Sequence, residues 1–289
     1  LTGTETRPAP VPLPLTLRIA DLALEVDAGS AAAVPLPAAY RGFQDPGPPE
    51  LRLALGAAPG IPAGARLAFD CPPIWSLWRA GASSIFSIYP DYPGLAHTLT
   101  LGDSAGLARL DHAAGSPEPF RGPALELLMI ETLALAGGAV LHGCGVAANG
   151  RGIAFLGESG AGKTTLARLW GRRPGVAVLS DDRLVLRRRG GRFILYGTPW
   201  HGEGRFAAPG GVPLERLFFL RHGAKNAAAA LRPPAVVAEL LRCAFPPLWD
   251  PAKMSAVLAL FAAAAAALPC RELFFTPDEA ALDVALAAP

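Results

Sequence analysis

Lysine is nearly missing from this 289-residue sequence: Lys163, Lys225 and Lys253 stand against 26 Lys and Arg in all. A chain that uses so little lysine keeps one where arginine will not serve, and Lys163 is in such a place. Cysteine is also scarce. Cys71, Cys144, Cys243 and Cys270 are scattered without a C-x-x-C pair. That excludes a sequence-evident zinc ribbon and gives no disulfide framework. An excess of one charge is absent too, with 26 basic and 24 acidic residues and a net charge of +2. This argues against a dedicated nucleic-acid binder, which needs a concentrated basic face. Long apolar runs are lacking. The uncharged stretch 254–270 is rich in alanine and falls short of the ~20 residues a spanning helix requires. A buried or half-buried helix is expected there. Residues 1–14 lack a basic start followed by an apolar run, so no signal peptide is expected. The simplest setting is a reducing cytoplasm, with no membrane and no nucleic acid as partner.

What is present is a core-forming chain. At 51% hydrophobic and 17% charged residues it is too apolar for disorder. At this length it can bury ~75% of its unfolded surface without staples. One large domain or two small ones are expected. After a Pro-rich lead-in, strand-like runs at 15–19, 22–26, 51–55, 67–69, 84–89, 97–101 and 107–110 are separated by Gly and Pro clusters. They make the first part β-rich, with Trp75 and Trp78 expected in its core. Asp70, Asp91 and His97 read there as isolated structural polar residues. Helical apolar spacing over 123–136 ends at Gly137-Gly138, a fitting stop. A boundary just before it gives a β-rich domain over 1–121 and a second domain over 122–289.

The second part carries sharper signals. Runs 139–147 and 152–156 flank Asn149-Gly150, the strongest short hairpin signal. A symmetric hairpin there pairs residues summing to 299 and sets His142 opposite Gly157. Runs 184–188 and 192–196 form a second hairpin about Gly190-Gly191, whose pairs sum to 381. It returns the chain near Asp182 at 198–199 and leaves Arg187, Arg188, Arg189 and Arg192 as a solvated tip. Helices are expected at 164–170, 234–243, 252–268 and 278–287, and strands at 176–179, 217–220 and 273–275. Thr276 reads as the cap of the last helix.

Gly157-Glu158-Ser159-Gly160-Ala161-Gly162-Lys163-Thr164 fits the phosphate-loop pattern G-x-x-x-x-G-K-[ST] in full. Glycines let backbone N–H groups turn inward around polyphosphate oxygens. The following helix, which begins with Thr164 and Thr165, points its positive end at the same anion. Lys163 supplies a compact charge and Thr164 a hydroxyl for Mg²⁺. Asp181 ends the run 176–181, expected as a parallel strand beside the loop strand, and Asp182 follows it. Two acids there can divide the tasks of holding Mg²⁺ and taking a proton, and which does which is left open. His142 is a phosphate or acid-pair contact, or a structural histidine. Glu203 is a possible second metal ligand, and His201 and Arg205 are weaker contacts to phosphate or substrate. The expected ligands are ATP and Mg²⁺.

Leu141-His142-Gly143, the loop 157–164 and Ser180-Asp181-Asp182-Arg183, in this order and spacing, resemble the catalytic domain of HPr kinase/phosphorylase. The resemblance covers about residues 138–205, and the whole is most similar to HPr-kinase-like proteins of bacterial peptide-biosynthesis and other small gene clusters. It implies an α/β P-loop catalytic domain of the HPr kinase/phosphoenolpyruvate carboxykinase type behind the smaller β-rich domain. It implies a Mg²⁺-dependent serine kinase moving the γ-phosphoryl of ATP to a Ser or Thr hydroxyl of a protein or peptide. His142 and Asp182 would then be catalytic, Lys163 would bind phosphate, and Thr164 and Glu203 would bind Mg²⁺. A small-molecule hydroxyl kinase and a non-catalytic nucleotide-gated binding protein are the alternatives. A homo-oligomer is left open.

Overall fold

The computed structural model describes residues 8–28, 33–89, 97–102, 106–113 and 118–287. Asp91 lies outside the described residues. Two units emerge: Leu1–Arg18 with Leu22–Met129, and Ile19–Asp21 with Ile130–Pro289. The division falls inside helix α1 (Ala124–Leu135) rather than before it. It also assigns a three-residue turn of the N-terminal region to the second unit.

The first unit contains β1 (Pro10–Pro12), β2 (Leu15–Ile19), β3 (Leu22–Asp27), β4 (Ala33–Pro35), β5 (Leu51–Ala57), β6 (Arg66–Cys71), β7 (Trp75–Ala80), β8 (Ser83–Ile88), β9 (His97–Leu101) and β10 (Leu107–His112). Eight of these form one sheet in the order β2-β3-β5-β10-β9-β8-β7-β6, and β1 pairs β4 separately. Period-two burial explains the sheet. In β5, Leu51, Leu53 and Leu55 face inward while Arg52 and Ala54 face out. Only one tryptophan of the expected pair is a core residue. Trp75 is buried, 5.6 Å from the Phe69 ring and edge-on to Phe86, while Trp78 is half-buried with its indole N–H on Ser76.

The second unit runs β11 (Gly138–Ala148), β12 (Arg151–Leu156), α2 (Lys163–Trp170), β13 (Val176–Ser180), β14 (Arg183–Arg189), β15 (Arg192–Gly197), β16 (Gly211–His222), β17 (Ala227–Ala230), α3 (Pro233–Arg242), α4 (Pro251–Ala267), β18 (Cys270–Phe275) and α5 (Ala280–Ala287). The Asn149-Gly150 turn has φ of 51° and 74°, the left-handed pair that a tight hairpin needs. It fixes Gly143 opposite Leu156. The Gly190-Gly191 turn likewise sets Leu184 opposite Gly197.

The expected α/β P-loop domain is corrected by this topology, which is β-rich. Most pairings are antiparallel; β12–β16 and β16–β18 are the parallel ones among the described strands of this unit. Strand β13 does not lie beside β12 but pairs antiparallel with β11. Because β12 also bonds to β16, the strands β11, β12, β16, β15 and β14 form a closed circuit of hydrogen-bonded neighbours. The cause is local. Tight Gly turns commit successive strands to antiparallel neighbours before a helical crossover can set a parallel one.

Strand β12 is buried on both faces, so it reads as a continuous apolar run. Ala154 and Leu156 join a core with Leu141, Leu184, Leu217 and Phe219, covered by α3 and α4 through Val236, Leu240 and Phe261. Ile153 and Phe155 join a second core with Trp170, Phe218 and Leu273, covered by α2 and α5. Arg187 departs from expectation. It is 1% exposed rather than part of a solvated tip, and its guanidinium donates to the carbonyls of Ala20 and Ala136. Beside it the Tyr196 hydroxyl donates to Asp21. Helix α4 is capped by Asp250, which accepts from the Ala252 and Lys253 amides. The next helix in the chain, α5, is preceded by Asp278, not Thr276, as the acceptor of the Ala280 amide.

Candidate functional site

The segment 157–162 leaves β12 and enters α2 at Gly162, whose φ of 94° suits glycine alone. A Cβ there would also meet the Phe275 ring at 2.5 Å. Gly160 turns with φ of 82° into open space. Glu158, Ser159, Gly160 and Thr165 are exposed, Gly157 is buried, and Ala161, Gly162 and Thr164 are intermediate. Lys163 is buried with its ammonium folded back on the loop, donating to the carbonyls of Gly157 at 2.9 Å and Glu158 at 2.7 Å. Burial lowers its pKa, and the nearby Asp182 charge opposes that shift.

The two acids have separate surroundings. Asp181 is 2% exposed. Its Oδ1 accepts from the amides of Gly202 at 3.0 Å and Phe206 at 3.3 Å. Its Oδ2 accepts from the Gly204 amide at 2.7 Å and the Thr164 hydroxyl at 3.2 Å. An ionised carboxylate offers about four acceptor positions, so Asp181 is saturated. Glycine is required at 202 and 204, because a Cβ would stand 2.9 and 2.7 Å from Asp181 Oδ2.

Asp182 points the other way and is partly exposed. Its Oδ1 lies 3.1 Å from His142 Nε2 and 2.6 Å from the Arg183 guanidinium. Burial pushes the Asp182 carboxyl up. The His142 hydrogen bond and the charges of Arg183, His142 and Lys163 outweigh it and hold the carboxyl below its ordinary range. Ser180 sets the reversal between the acids: its buried Oγ accepts from the amides of Asp182 and Arg183 and donates to the Trp200 carbonyl.

The hairpin register accounts for His142. With Gly143 opposite Leu156, the strand carries His142 to the level where the loop begins. Its amide donates to the Cys243 carbonyl at 2.6 Å, which brings the end of α3 to the same place. The structure therefore gathers His142, Lys163, Thr164, Asp181 and Asp182. It does not gather Glu203, an exposed side chain on the turn that holds Asp181. His201 is exposed, with Nδ1 2.9 Å from the Gly202 carbonyl, and Arg205 is exposed at φ of 57°. The sequence names Ser180 and Arg183 only as members of a motif, without a role, and does not mark Phe245. Arg183 stacks 4.1 Å over the Phe245 ring, which also faces His142 at 6.3 Å. The Ser180-Asp181-Asp182-Arg183 string was the available signal for the first two. Nothing local marks Phe245, 62 residues after Arg183.

Among the described residues no group of three or more His, Cys, Asp or Glu side chains could hold a metal ion. Mg²⁺ retains waters and phosphate oxygens and needs only one or two protein ligands. The Thr164 hydroxyl, donating to Asp181, keeps its lone pairs for such an ion, so the donor set fits Mg²⁺ that arrives with phosphates. A cavity of about 400 Å³ lies away from this site, lined by Ala148, Asn149, Arg151, Ile153, Glu215, Arg216 and Leu286. Its charged groups are already engaged: Arg151 with Glu215, and Arg216 with the last carbonyls of α5. The four cysteines are free. Among the described residues no helix is long and apolar enough to cross a membrane.

No protein-family model matches the chain. A curated relative, Chromophore lyase CpcT/CpeT 3 of Synechococcus sp. (strain JA-3-3Ab), is 29% identical over 108 residues, 36% of this chain and 54% of that protein. The chain thus spans about half the length of the relative it matches. This finding corrects the resemblance to HPr kinase/phosphorylase. The similarity found is to a chromophore lyase, an enzyme by its name. The expected serine-kinase activity, with its transfer of a γ-phosphoryl to a Ser or Thr hydroxyl, is corrected with it, and neither alternative fits better.

Proposed function

We propose that the loop 157–164 binds the triphosphate of ATP together with Mg²⁺, and that the chain is an enzyme acting on that ligand. The observation that carries this reading is the Lys163 ammonium, buried against the Gly157 and Glu158 carbonyls at the start of α2. A buried cation at a glycine-shaped helix start favours an anion by both charge and open backbone donors. Thr164 would share Mg²⁺ with the phosphates, and Asp181 would hold that hydroxyl and the turn 202–206 in place. The His142–Asp182 pair would handle a proton at the outer phosphate. With water as the attacking group, the reaction is release of the terminal phosphate. The developing charge would be met by Lys163 and the loop amides, the largest stabilising term in such sites.

The test is calorimetric titration of Mg²⁺-ATP and a phosphate-release assay on the same preparations. Wild type should bind and release phosphate. Lys163→Ala should weaken binding by at least about tenfold, ~1.4 kcal/mol, and abolish release. Lys163→Arg should also fail, since a planar guanidinium does not replace a compact ammonium. Equal binding by wild type and Lys163→Ala would remove the loop from nucleotide binding.

The similarity to a chromophore lyase supports a second reading, in which the chain acts on a chromophore. Mixing the protein with a panel of free chromophores should then shift an absorbance band, and an unchanged spectrum across the panel would count against it.

A further inference from the structure

The last turn of α3 brings a cation to the same loop. Arg242 Nε lies 3.8 Å from Glu158 Oε1, and both side chains are open to solvent, at 60% and 76% exposure. Arg242 also stands 3.2 Å from Glu239. Glu239 does not depend on it: Arg221 approaches Glu239 at 2.8 Å and Glu272 at 2.9 Å from within the fold. The backbone beyond Arg242 is fixed, because the Cys243 carbonyl takes the His142 amide and the Phe245 amide donates to the Val140 carbonyl. Arg242 is thus a loosely held charge on a rigid base. Exposed pairs of this kind contribute little to stability, so the guanidinium can exchange partners at little cost.

Its present partner, Glu158, belongs to the loop proposed to hold the phosphates. Lys163 grips the Gly157 and Glu158 carbonyls, so the lysine and Glu158 share one end of the loop. In a phosphate loop the lysine serves the β- and γ-phosphates. We propose that Arg242 counts phosphates: it leaves Glu158 for the outermost phosphate of a bound triphosphate and does not reach a diphosphate, so the site selects triphosphates. This rests on the polyphosphate reading of the loop. Arginine suits the task, since its fork takes two phosphate oxygens at once. Glu158 acts as a competitor that holds Arg242 and repels phosphate.

The experiment compares titrations of Mg²⁺-ATP and Mg²⁺-ADP for wild type, Arg242→Gln, Glu158→Gln and Lys163→Ala, with melting curves for each. Arg242→Gln should weaken ATP about tenfold while ADP stays within about twofold. Glu158→Gln should tighten ATP by about threefold or more, because it frees the arginine and removes a negative charge. A purely structural contact would move both variants the same way. An unchanged ATP-to-ADP ratio in Arg242→Gln, or shifts of the same sign in both variants, overturns the proposal. Failure of wild type to bind either nucleotide, or undiminished binding by Lys163→Ala, overturns the polyphosphate reading and this proposal with it. A loss confined to Lys163→Ala overturns the role of Arg242 alone.

Discussion

Asp181 and Asp182 are adjacent in the chain, yet one is enclosed by donors and the other opens toward the proposed ligand. Asp181 holds three backbone amides and a threonine hydroxyl. Asp182 meets only side chains at this carboxylate's Oδ1: His142 and the guanidinium of Arg183. Backbone donors cannot leave without unfolding a turn, whereas side chains can rotate toward a ligand. The first carboxylate therefore belongs to the frame, and the second is the one free to serve the proposed chemistry. The division follows from the bend between β13 and β14, where both acids lie and where the Ser180 hydroxyl holds the Asp182 and Arg183 amides. It also shows why a pair of acids at a strand end need not be a pair of metal ligands.

The sharpest way to break this comparison is Asp181→Asn. The amide retains one acceptor oxygen but turns an NH₂ toward donors that need an acceptor. Each buried donor left unpaired costs ~1–3 kcal/mol, so the second unit should lose about 3 kcal/mol. That corresponds to a fall of roughly 10 °C in Tm for a unit of this size. The Gly202–Phe206 turn should gain protease sensitivity. An unchanged Tm would mean that the turn is held by other contacts.

Asp182→Asn should give the opposite pattern. Stability should stay within about 1 kcal/mol, because the replaced group is partly solvated and nearly isosteric. Mg²⁺-ATP binding should stay within about tenfold, while phosphate release falls at least ~10²-fold, the scale expected for losing an acid–base group. The pH dependence sharpens the contrast. With its folded pKa held below the ordinary 3.8, Asp182 contributes stability that is present above that value and lost as pH falls through the lower folded value. Asp182→Asn should therefore flatten the acid limb of a pH–stability curve. Retained turnover would take Asp182 out of the reaction.

The sequence made part of this site legible. Asn149-Gly150 and Gly190-Gly191 demand left-handed backbone, and those two turns alone set the register that carries His142 to the loop and the chain back toward Asp181. The parallel placement of β13 was not legible correctly. β11 is eleven residues long and offers edges to β12, β13 and β14, and hydrophobic periodicity says nothing about which edge a strand takes. Strand β17 was hidden because alanine has little strand preference; its pairing with β18 supplies what local propensity does not. The saturation of Asp181 was hidden too, although Gly202-x-Gly204 was its trace: two glycines where a Cβ would touch a carboxylate. The neighbours Arg242 and Phe245 come from the end of α3 and the residues just after it, and only tertiary packing brings that segment to β11.

The smallest effect is expected at the point where the two environments meet. Ser180 is fully buried, and its hydroxyl takes the amides of Asp182 and Arg183, both at 3.2 Å, while donating to the Trp200 carbonyl. Those bonds are long, and none involves a charge at the serine, so Ser180→Ala should cost only about 1–2 kcal/mol by urea denaturation. The effect should differ in kind from either aspartate change. Asp181 keeps its own donors from the 202–206 turn, so the frame survives. Asp182 loses the bond that fixes where its Cα leaves the strand, so the carboxylate should sit less firmly against His142. Turnover should fall by about three- to tenfold, of order 1 kcal/mol, with Mg²⁺-ATP affinity unchanged. A loss of stability without loss of turnover would show that His142 and Arg183 alone aim Asp182. A turnover loss as large as that of Asp182→Asn would show that the turn, rather than those side chains, sets the carboxylate.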